Sequence, residues 1–401
     1  MSDWLIEFAK GVGKLFLNPL FYWFFILTFL VSLSRIKNER KNFGTKIFDV
    51  YYEAAYTWPV SLISGAILSV LAVGLGVTFD YTVIALLSLV TILLSVSGRF
   101  SWLSAAYSFG FTYLLLLIFP SVLDNVLPSE WQENFKNVEF VSFTTLLGLM
   151  IMVEAVLVLQ IRKRETFPEL VKGNRGKWVG QHRLKKITMI PFFGLVPSGL
   201  ITPFADWWPM FSINGESYGI LLIPIVIGFE HVAKGALPIK VTRALGQSLL
   251  ILGLATIALS IIGYYLPIFT LISVIVALIG REWLSFHFRS KDQQNQPFFS
   301  PDQTGLLVLG VIPGTPAESL KLSVGEKILK VNGIRVANEQ QFYEALQANS
   351  AYCKLDIRDE RGEIRFAQRA LYQGEHHELG ILFAKKQYRI TTKEQKTAQK
   401  N

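Results

Sequence analysis

Apolar residues fall in long, nearly uninterrupted runs as far as about residue 289, separated by short charged loops, and beyond it they shrink to short segments interleaved with polar residues. Runs near the ~20 residues that a helix needs to cross a bilayer occupy Leu17–Ser34, Trp58–Phe79, Tyr81–Ser97, Trp102–Phe119, Val141–Gln160, Ile187–Phe211, Tyr218–Phe229, Leu245–Gly263 and Pro267–Leu284. Eight or nine helical spans are expected, Tyr218–Phe229 being the shortest. Ahead of them Trp4, Leu5, Phe8, Val12, Leu15 and Phe16 share one side of a helix that carries Asp3, Glu7, Lys10 and Lys14 elsewhere, as in a helix lying in the membrane interface. No small-residue cleavage site follows the first apolar run, which is therefore read as a retained span.

The basic residues set an orientation. Arg35, Lys37, Arg40, Lys41 and Lys46 follow the first span, Arg99 the third, Arg162 to Lys186 the fifth, and Lys234, Lys240 and Arg243 the seventh, so these loops are expected in the cytoplasm. The alternate loops hold Asp80, then Asp124, Glu130, Glu133 and Glu139 with Lys136, then Glu216, and face outward, while Trp58, Trp131, Trp207 and Trp208 suit interfacial belts. The two halves of the region share a pattern. Each has an apolar helix, a basic loop (Ile36 to Arg40, Ile161 to Glu165), a proline-containing span (Pro59, Pro191), an outward aspartate (Asp80, Asp206) and a span leading to arginine (Arg99, Arg243), which suggests a tandem four-span repeat.

The segment after the last span changes character. Ser290 to Gln303 is polar with Pro297 and Pro301, as in a linker, and the tail from Lys385 to Asn401 has too little apolar content to form a core. Between them, a short apolar strand (Leu306 to Ile312) runs into Pro313-Gly314-Thr315-Pro316 and a brief helix. Gly325-Glu326 then turns into a strand ending at Val331, and Asn332-Gly333 is a strong hairpin signal. Asn338 and Gln341 form a capping box for a helix carrying Phe342, Ala345 and Leu346, and two further strands meet at Asp359 to Gly362. This order resembles a bacterial PDZ domain. Leu379-Gly380-Ile381-Leu382 looks like the loop with which PDZ domains hold a terminal carboxylate. It stands at the end of the module instead of its beginning, so the resemblance implies a circular permutation. Leu379, Gly380, Ile381 and Leu382 would cradle the carboxylate and accept a peptide as an added strand, with Phe342 and Leu346 lining the groove. Residues 1–289, 290–303, 304–384 and 385–401 are thus read as an α-helical polytopic membrane domain, a linker, a small α/β PDZ-like domain and a disordered basic tail.

Composition agrees with a membrane protein: 51% of the residues are hydrophobic and 17% charged, and mean hydropathy is +0.38. The net charge of +9 is accounted for by the loops, so nucleic-acid binding is not expected. Cys353, the single cysteine, is expected to pack in a core. His182, His231, His287, His376 and His377 lack the spacing of a zinc protease, no cofactor motif occurs, and Ser198 with His231 is a weak serine-and-base pair. Glu154 and Glu230 fall in apolar runs, where a charge is costly; both are expected to reach interfacial water near Arg162 and Lys234. The proline-rich run with Pro191, Pro197 and Pro203 also occurs in transporters.

A polytopic region with basic cytosolic loops and a C-terminal PDZ-like module lacking catalytic motifs resembles the MinJ family of division-site topological determinants. The resemblance implies a scaffold in the cell membrane, enriched at septum and poles. It would recruit a DivIVA-like scaffold and a MinD/MinC-like inhibitor; homo-oligomerisation is left open. The competing readings are a PDZ-containing intramembrane protease or its regulator, and a transporter.

Overall fold

The computed structural model describes residues 2–122, 138–173, 176–205, 207–210, 217–302, 304–349, 351–372, 379–385 and 388. The expectations for Asp124, Glu130, Trp131, Glu133, Lys136, Asp206, Glu216, His376, His377 and most of the tail lie outside the described residues.

Among the described residues, seven apolar helices form the membrane region. Five are long enough to cross a bilayer: α2 (Pro19–Phe43), α3 (Trp58–Leu75), α6 (Phe140–Leu159), α7 (Pro238–Gly263) and α8 (Ile268–Gln294). α4 (Tyr81–Ser95) and α5 (Ala105–Val122) are shorter. Asn18 caps α2, its side chain accepting from the Leu20 amide at 2.9 Å, and Asp80 caps α4 through the Thr82 amide at 2.7 Å. The innermost helix is α6, with Leu147, Met150, Ile151 and Val158 wholly buried. Hydroxyls join the helices where apolar contact alone gives little direction: Thr144 and Thr145 to Ser260 at 2.6 and 2.8 Å, Tyr113 to Thr270 at 2.7 Å.

The runs expected as the sixth and seventh spans are not helices. They form β2 (Trp178–Ile201) and β3 (Tyr218–Ala233), an antiparallel pair in register from His182↔Ala233 to Pro197↔Tyr218, a length of about 50 Å at ~3.3 Å per residue. Prolines and β-branched residues explain the correction. Pro191 and Pro197 would each remove a helical hydrogen bond, Pro224 stands directly across from Pro191, and Ile187, Ile190, Val196, Ile220, Ile223, Ile225 and Ile227 suit a strand. Among the described residues, only α6 and α7 remain as helices in the second of the two supposed repeats, so no three helices match in order and the tandem repeat is rejected.

An open strand edge is not tolerated in hydrocarbon, and α3 covers the edge of β2. Ser61 Oγ donates to the Met189 carbonyl, and Ser69 Oγ accepts from the Phe193 amide at 2.8 Å. Between these serines a Cβ on Gly65 would lie 2.1 Å from the Pro191 carbonyl oxygen, so only glycine admits this approach. Gly65→Val should cost about 1–3 kcal/mol through overpacking. Gly74→Val, on the same helix where a Cβ meets nothing within 4 Å, is the control. Thermal unfolding in detergent separates them, and equal melting of the two variants would dismiss the close α3–β2 contact.

α1 (Ser2–Leu15) does not lie free. It crosses the far end of the hairpin, with Glu7 buried, Trp4 6.2 Å from Trp208 and Phe8 4.7 Å from Phe193, while Leu5 and Phe16 remain exposed. At the opposite end, β1 (Phe167–Lys172) pairs with Trp178–Arg183 of β2 to make a three-stranded base sheet. The expected basic loop between Arg162 and Lys186 is thus largely a hairpin.

The C-terminal module has the strands β4 (Leu306–Val311), β5 (Lys327–Val331), β6 (Ile334–Arg335), β7 (Tyr352–Arg358), β8 (Ile364–Ala370) and β9 (Ile381–Phe383) and the helices α9 (Pro316–Ser319) and α10 (Glu339–Gln347). The sheet order is β8-β7-β5-β4-β9, with β6 on β5. Asn332 (φ 49°) and Gly333 (φ 87°) make the two-residue turn from β5 to β6, and Asn338 caps α10 through the Gln341 amide at 2.8 Å.

The polar segment expected as a linker from residue 290 begins inside α8, which runs to Gln294, where charged side chains still suit a helix outside the bilayer. Asp292 there accepts from the Lys234 and Gly235 amides at 3.0 and 2.8 Å. Phe299 then enters a buried apolar seam between base sheet and module, formed with Phe48, Phe167, Leu170, Leu237, Leu309 and Leu382. Lys163 with Glu360 and Arg164 with Glu318 (2.8 Å) add ion pairs across it.

Candidate functional site

The groove expected of a PDZ module would run between α10 and β9, whose Phe342 and Phe383 rings stand 5.4 Å apart. β9 follows Gly380, whose φ of +80° belongs to the left-handed region that favours glycine. The loop is fixed to the start of α9 from both sides: the Leu379 carbonyl accepts from the Ala317 amide and the Gly380 carbonyl from the Ile312 amide, each at 2.9 Å. β9 pairs with β4 on one side and is the edge strand of its sheet. Such an edge accepts an extended peptide through main-chain hydrogen bonds, and side-chain pockets supply the selectivity.

The six residues expected to bind are together in space, but all are buried. Phe342, Leu346 and Leu379 are 0% exposed, Ile381 5% and Leu382 7%. Phe342, Leu346, Leu379 and Ile381 belong to the core of the module, and Phe383 joins them at 5.4 Å between the Phe342 and Phe383 rings. Leu382 points the other way, as alternation along a strand requires, and enters the seam beside Phe48 and Phe167. Lys385, just after β9, meets Glu339 in the first turn of α10 at 2.7 Å, an exposed ion pair that joins the two elements.

Gly380 has a structural duty too. A Cβ there would stand 2.2 Å from Thr315 Oγ1, the hydroxyl that donates to the Ile312 carbonyl at 2.6 Å. A bulky residue at Gly380 therefore damages the loop whether or not a peptide binds, and loss of binding on that substitution would not identify the groove.

The other chemistry considered is dispersed. Ser198 lies beyond the Pro197↔Tyr218 pair, whereas His231 pairs with Leu184, about 46 Å along the hairpin at ~3.3 Å per residue, too far for a nucleophile and its base. Cys353 is wholly buried, and burial pushes its thiol up to about 12. Among the described residues no group of His, Cys, Asp or Glu is arranged to hold a metal. Glu154 does not reach interfacial water: it is 0% exposed and paired with Arg281 at 3.2 Å, because α8 brings an arginine to the same depth. Glu230 is held by Arg183 at 2.6 Å and accepts from the Phe100 amide at 2.9 Å.

Sequence reasoning missed the seam and its histidine. His182 is buried against Phe299 at 4.8 Å between ring centroids and shares a hydrogen bond with Thr166 at 2.8 Å. Burial lowers its pKa to about 3, opposed by the Leu309 backbone of β4. The available signal was Phe298-Phe299, an aromatic pair inside an otherwise polar stretch.

Known proteins resemble this chain along most of its length. The PDZ domain family matches residues 307–358, which run from β4 through β7. The cell division topological determinant MinJ of Bacillus subtilis (strain 168) is 39% identical over 383 residues, covering 96% of both chains. The probable cell division topological determinant MinJ of Lacticaseibacillus paracasei is 22% identical over 386 residues, covering 92% of this chain and 97% of its own. With a PDZ domain behind apolar helices, and near-complete coverage at that identity, the chain belongs to the family of the cell division topological determinant MinJ.

Proposed function

We propose that the chain is a membrane scaffold that gathers cytosolic division regulators at septum and poles, bridging a DivIVA-like protein and a MinD/MinC-like inhibitor. The observation that carries the recognition step is the edge strand β9, which starts at a left-handed glycine and runs beside α10. In this reading the module is circularly permuted, with the carboxylate loop last in sequence, and a partner's terminal segment adds to β9. A cytosolic orientation is supported by the gathering of Arg35, Arg99, Lys163, Arg164, Lys185 and Lys234 toward the base sheet, with Asp80 toward the other end of the hairpin. The basic side chains Lys163, Arg164, Arg183, Lys185 and Lys186 are engaged within the chain, which favours the groove over this segment as the contact for partners.

A photo-crosslinking residue at Lys385, at the open end of β9, is expected to capture purified DivIVA-like or MinD-like protein. The same residue at exposed Gln368 on β8, the opposite edge of the sheet, should not. Capture from Gln368 alone, or from neither, rejects the groove. A fluorescent fusion spread evenly over the membrane rejects the scaffold reading itself.

A further inference from the structure

We propose that a cavity at the elbow between α1 and α2 holds one acyl chain of an anionic phospholipid, with the headgroup at Lys14. The cavity measures about 710 Å³ and is walled by Leu17, Pro19, Ile84, Leu89, Ile92 and Leu221. Its lining comes from the end of α1, the elbow into α2, α4 and β3, and its lining residues Leu17 and Leu89 are exposed apolar side chains beside the membrane helices, so hydrocarbon is the medium at its open side. Its polarity is graded. Lys14 and Tyr81 stand at one end, with Lys14 Nζ donating to the Tyr81 hydroxyl at 2.8 Å and lying 5.2 Å from the ring centre. From Tyr81 the wall descends along α4 to Ile92, a depth of about 16 Å at 1.5 Å per residue. Below it, Trp23 Nε1 donates to Ser95 Oγ at 2.7 Å and brings α2 against α4.

That depth is about half of a ~30 Å hydrocarbon core, the length of a chain in one leaflet. A lipid has the same grading, polar at the interface and apolar below, in the same direction as the cavity. Charge then selects among lipids. Among the described residues no carboxylate pairs with Lys14. Asp80, its nearest acidic neighbour in sequence to Tyr81, is turned to the Thr82 amide and hydroxyl at 2.7 and 2.6 Å. An amine left with a phenol as its partner favours a net negative headgroup over a zwitterion. Asn18 does not compete for that headgroup, since its oxygen caps α2 and its amide nitrogen reaches Ser88 Oγ at 3.3 Å.

The test uses the full-length chain purified in mild detergent, mixed with palmitoyl-oleoyl phosphatidylglycerol or phosphatidylcholine and weighed intact by native mass spectrometry. Wild type should retain a single phosphatidylglycerol several-fold more tightly than phosphatidylcholine. Lys14→Gln should bring the two lipids to within about twofold of each other. Ala85→Phe, which places a ring in the cavity from an exposed position on α4, should abolish retention of both. Wild-type retention by an Ala85→Phe protein of unchanged melting temperature, or equal retention of the two lipids by wild type, overturns the proposal. A change of oligomeric state on Ala85→Phe without a change in lipid retention also overturns it, because the cavity would then be a contact between copies of the chain.

Discussion

Replacing Arg281 with methionine in the full-length chain should lower its stability by about 3–5 kcal/mol, and replacing Glu154 with leucine in the same molecule should restore most of the loss. Arg281 is 2% exposed and joins three parts of the bundle: its Nη2 lies 3.2 Å from Glu154 on α6, its Nε donates to Ser104 Oγ at 3.0 Å, and its Nη1 reaches Ser285 at 2.7 Å. Glu154 in turn accepts from Ser104 Oγ at 2.6 Å and the Ala105 amide at 3.2 Å. Removing the cation leaves a carboxylate in a place without water. Removing both charges leaves two apolar side chains of suitable size, so the double variant should melt near wild type. Thermal unfolding of the two single variants and the double variant in detergent provides the cycle. A single Arg281→Met variant that melts with wild type would show that Glu154 has another partner or a route to water.

The elements that local chemistry determines were legible in the sequence, and those that depend on distant partners were not. The Asn338–Gln341 cap and the Asn332-Gly333 turn need only residues within one turn of each other, and both appear as expected. The β2–β3 pair was misread for a definite reason. A strand buried on both faces is as uniformly apolar as a buried helix, so periodicity does not separate them. Pro191, Pro197 and Pro224, with the β-branched residues around them, were the signal that a helix would be poor there. The inward turn of Arg35 was equally hidden. It looks like any arginine after a membrane span, yet it is 8% exposed: it pairs with Glu39 one turn on along α2 at 2.5 Å, and with Glu53 at 2.8 Å once the chain folds back after Gly44. The burial of the residues named for the groove was not legible: Phe342, Leu346, Leu379 and Ile381 close the module's own core, and Leu382 enters the seam, whose two sides lie far apart in sequence.

Phe299→Ala should release the PDZ module from the base sheet without unfolding it. Phe299 is 0% exposed, its carbonyl accepts from the Gly180 amide at 2.8 Å, and its ring contacts His182, so truncation should weaken the seam by about 3–5 kcal/mol. The module keeps its own core around Phe342, Leu355 and Ile357, which Phe299 does not enter. Hydrogen exchange should therefore rise at Leu309 and Leu382 and stay slow at Leu355. The same seam should loosen in acid. His182 is held neutral by burial, with a pKa of about 3 against an ordinary 6.5. Once the seam opens, the imidazole regains its ordinary affinity for protons, so docking is at full strength above pH 6.5. It then weakens by about 1.4 kcal/mol for each unit as pH falls from 6.5 toward 3. Between pH 7 and 5, above the ordinary carboxylate range, exchange at Leu309 should climb in wild type and stay level in His182→Gln, whose amide can still meet Thr166. His231 lies against Phe288 of α8, outside the seam, and is the same in both proteins, so it leaves this difference intact. Identical pH profiles for wild type and His182→Gln would remove the histidine from the seam's energetics, and unchanged exchange at Leu309 in Phe299→Ala would show that the ion pairs of Lys163 and Arg164 hold the module in place without it.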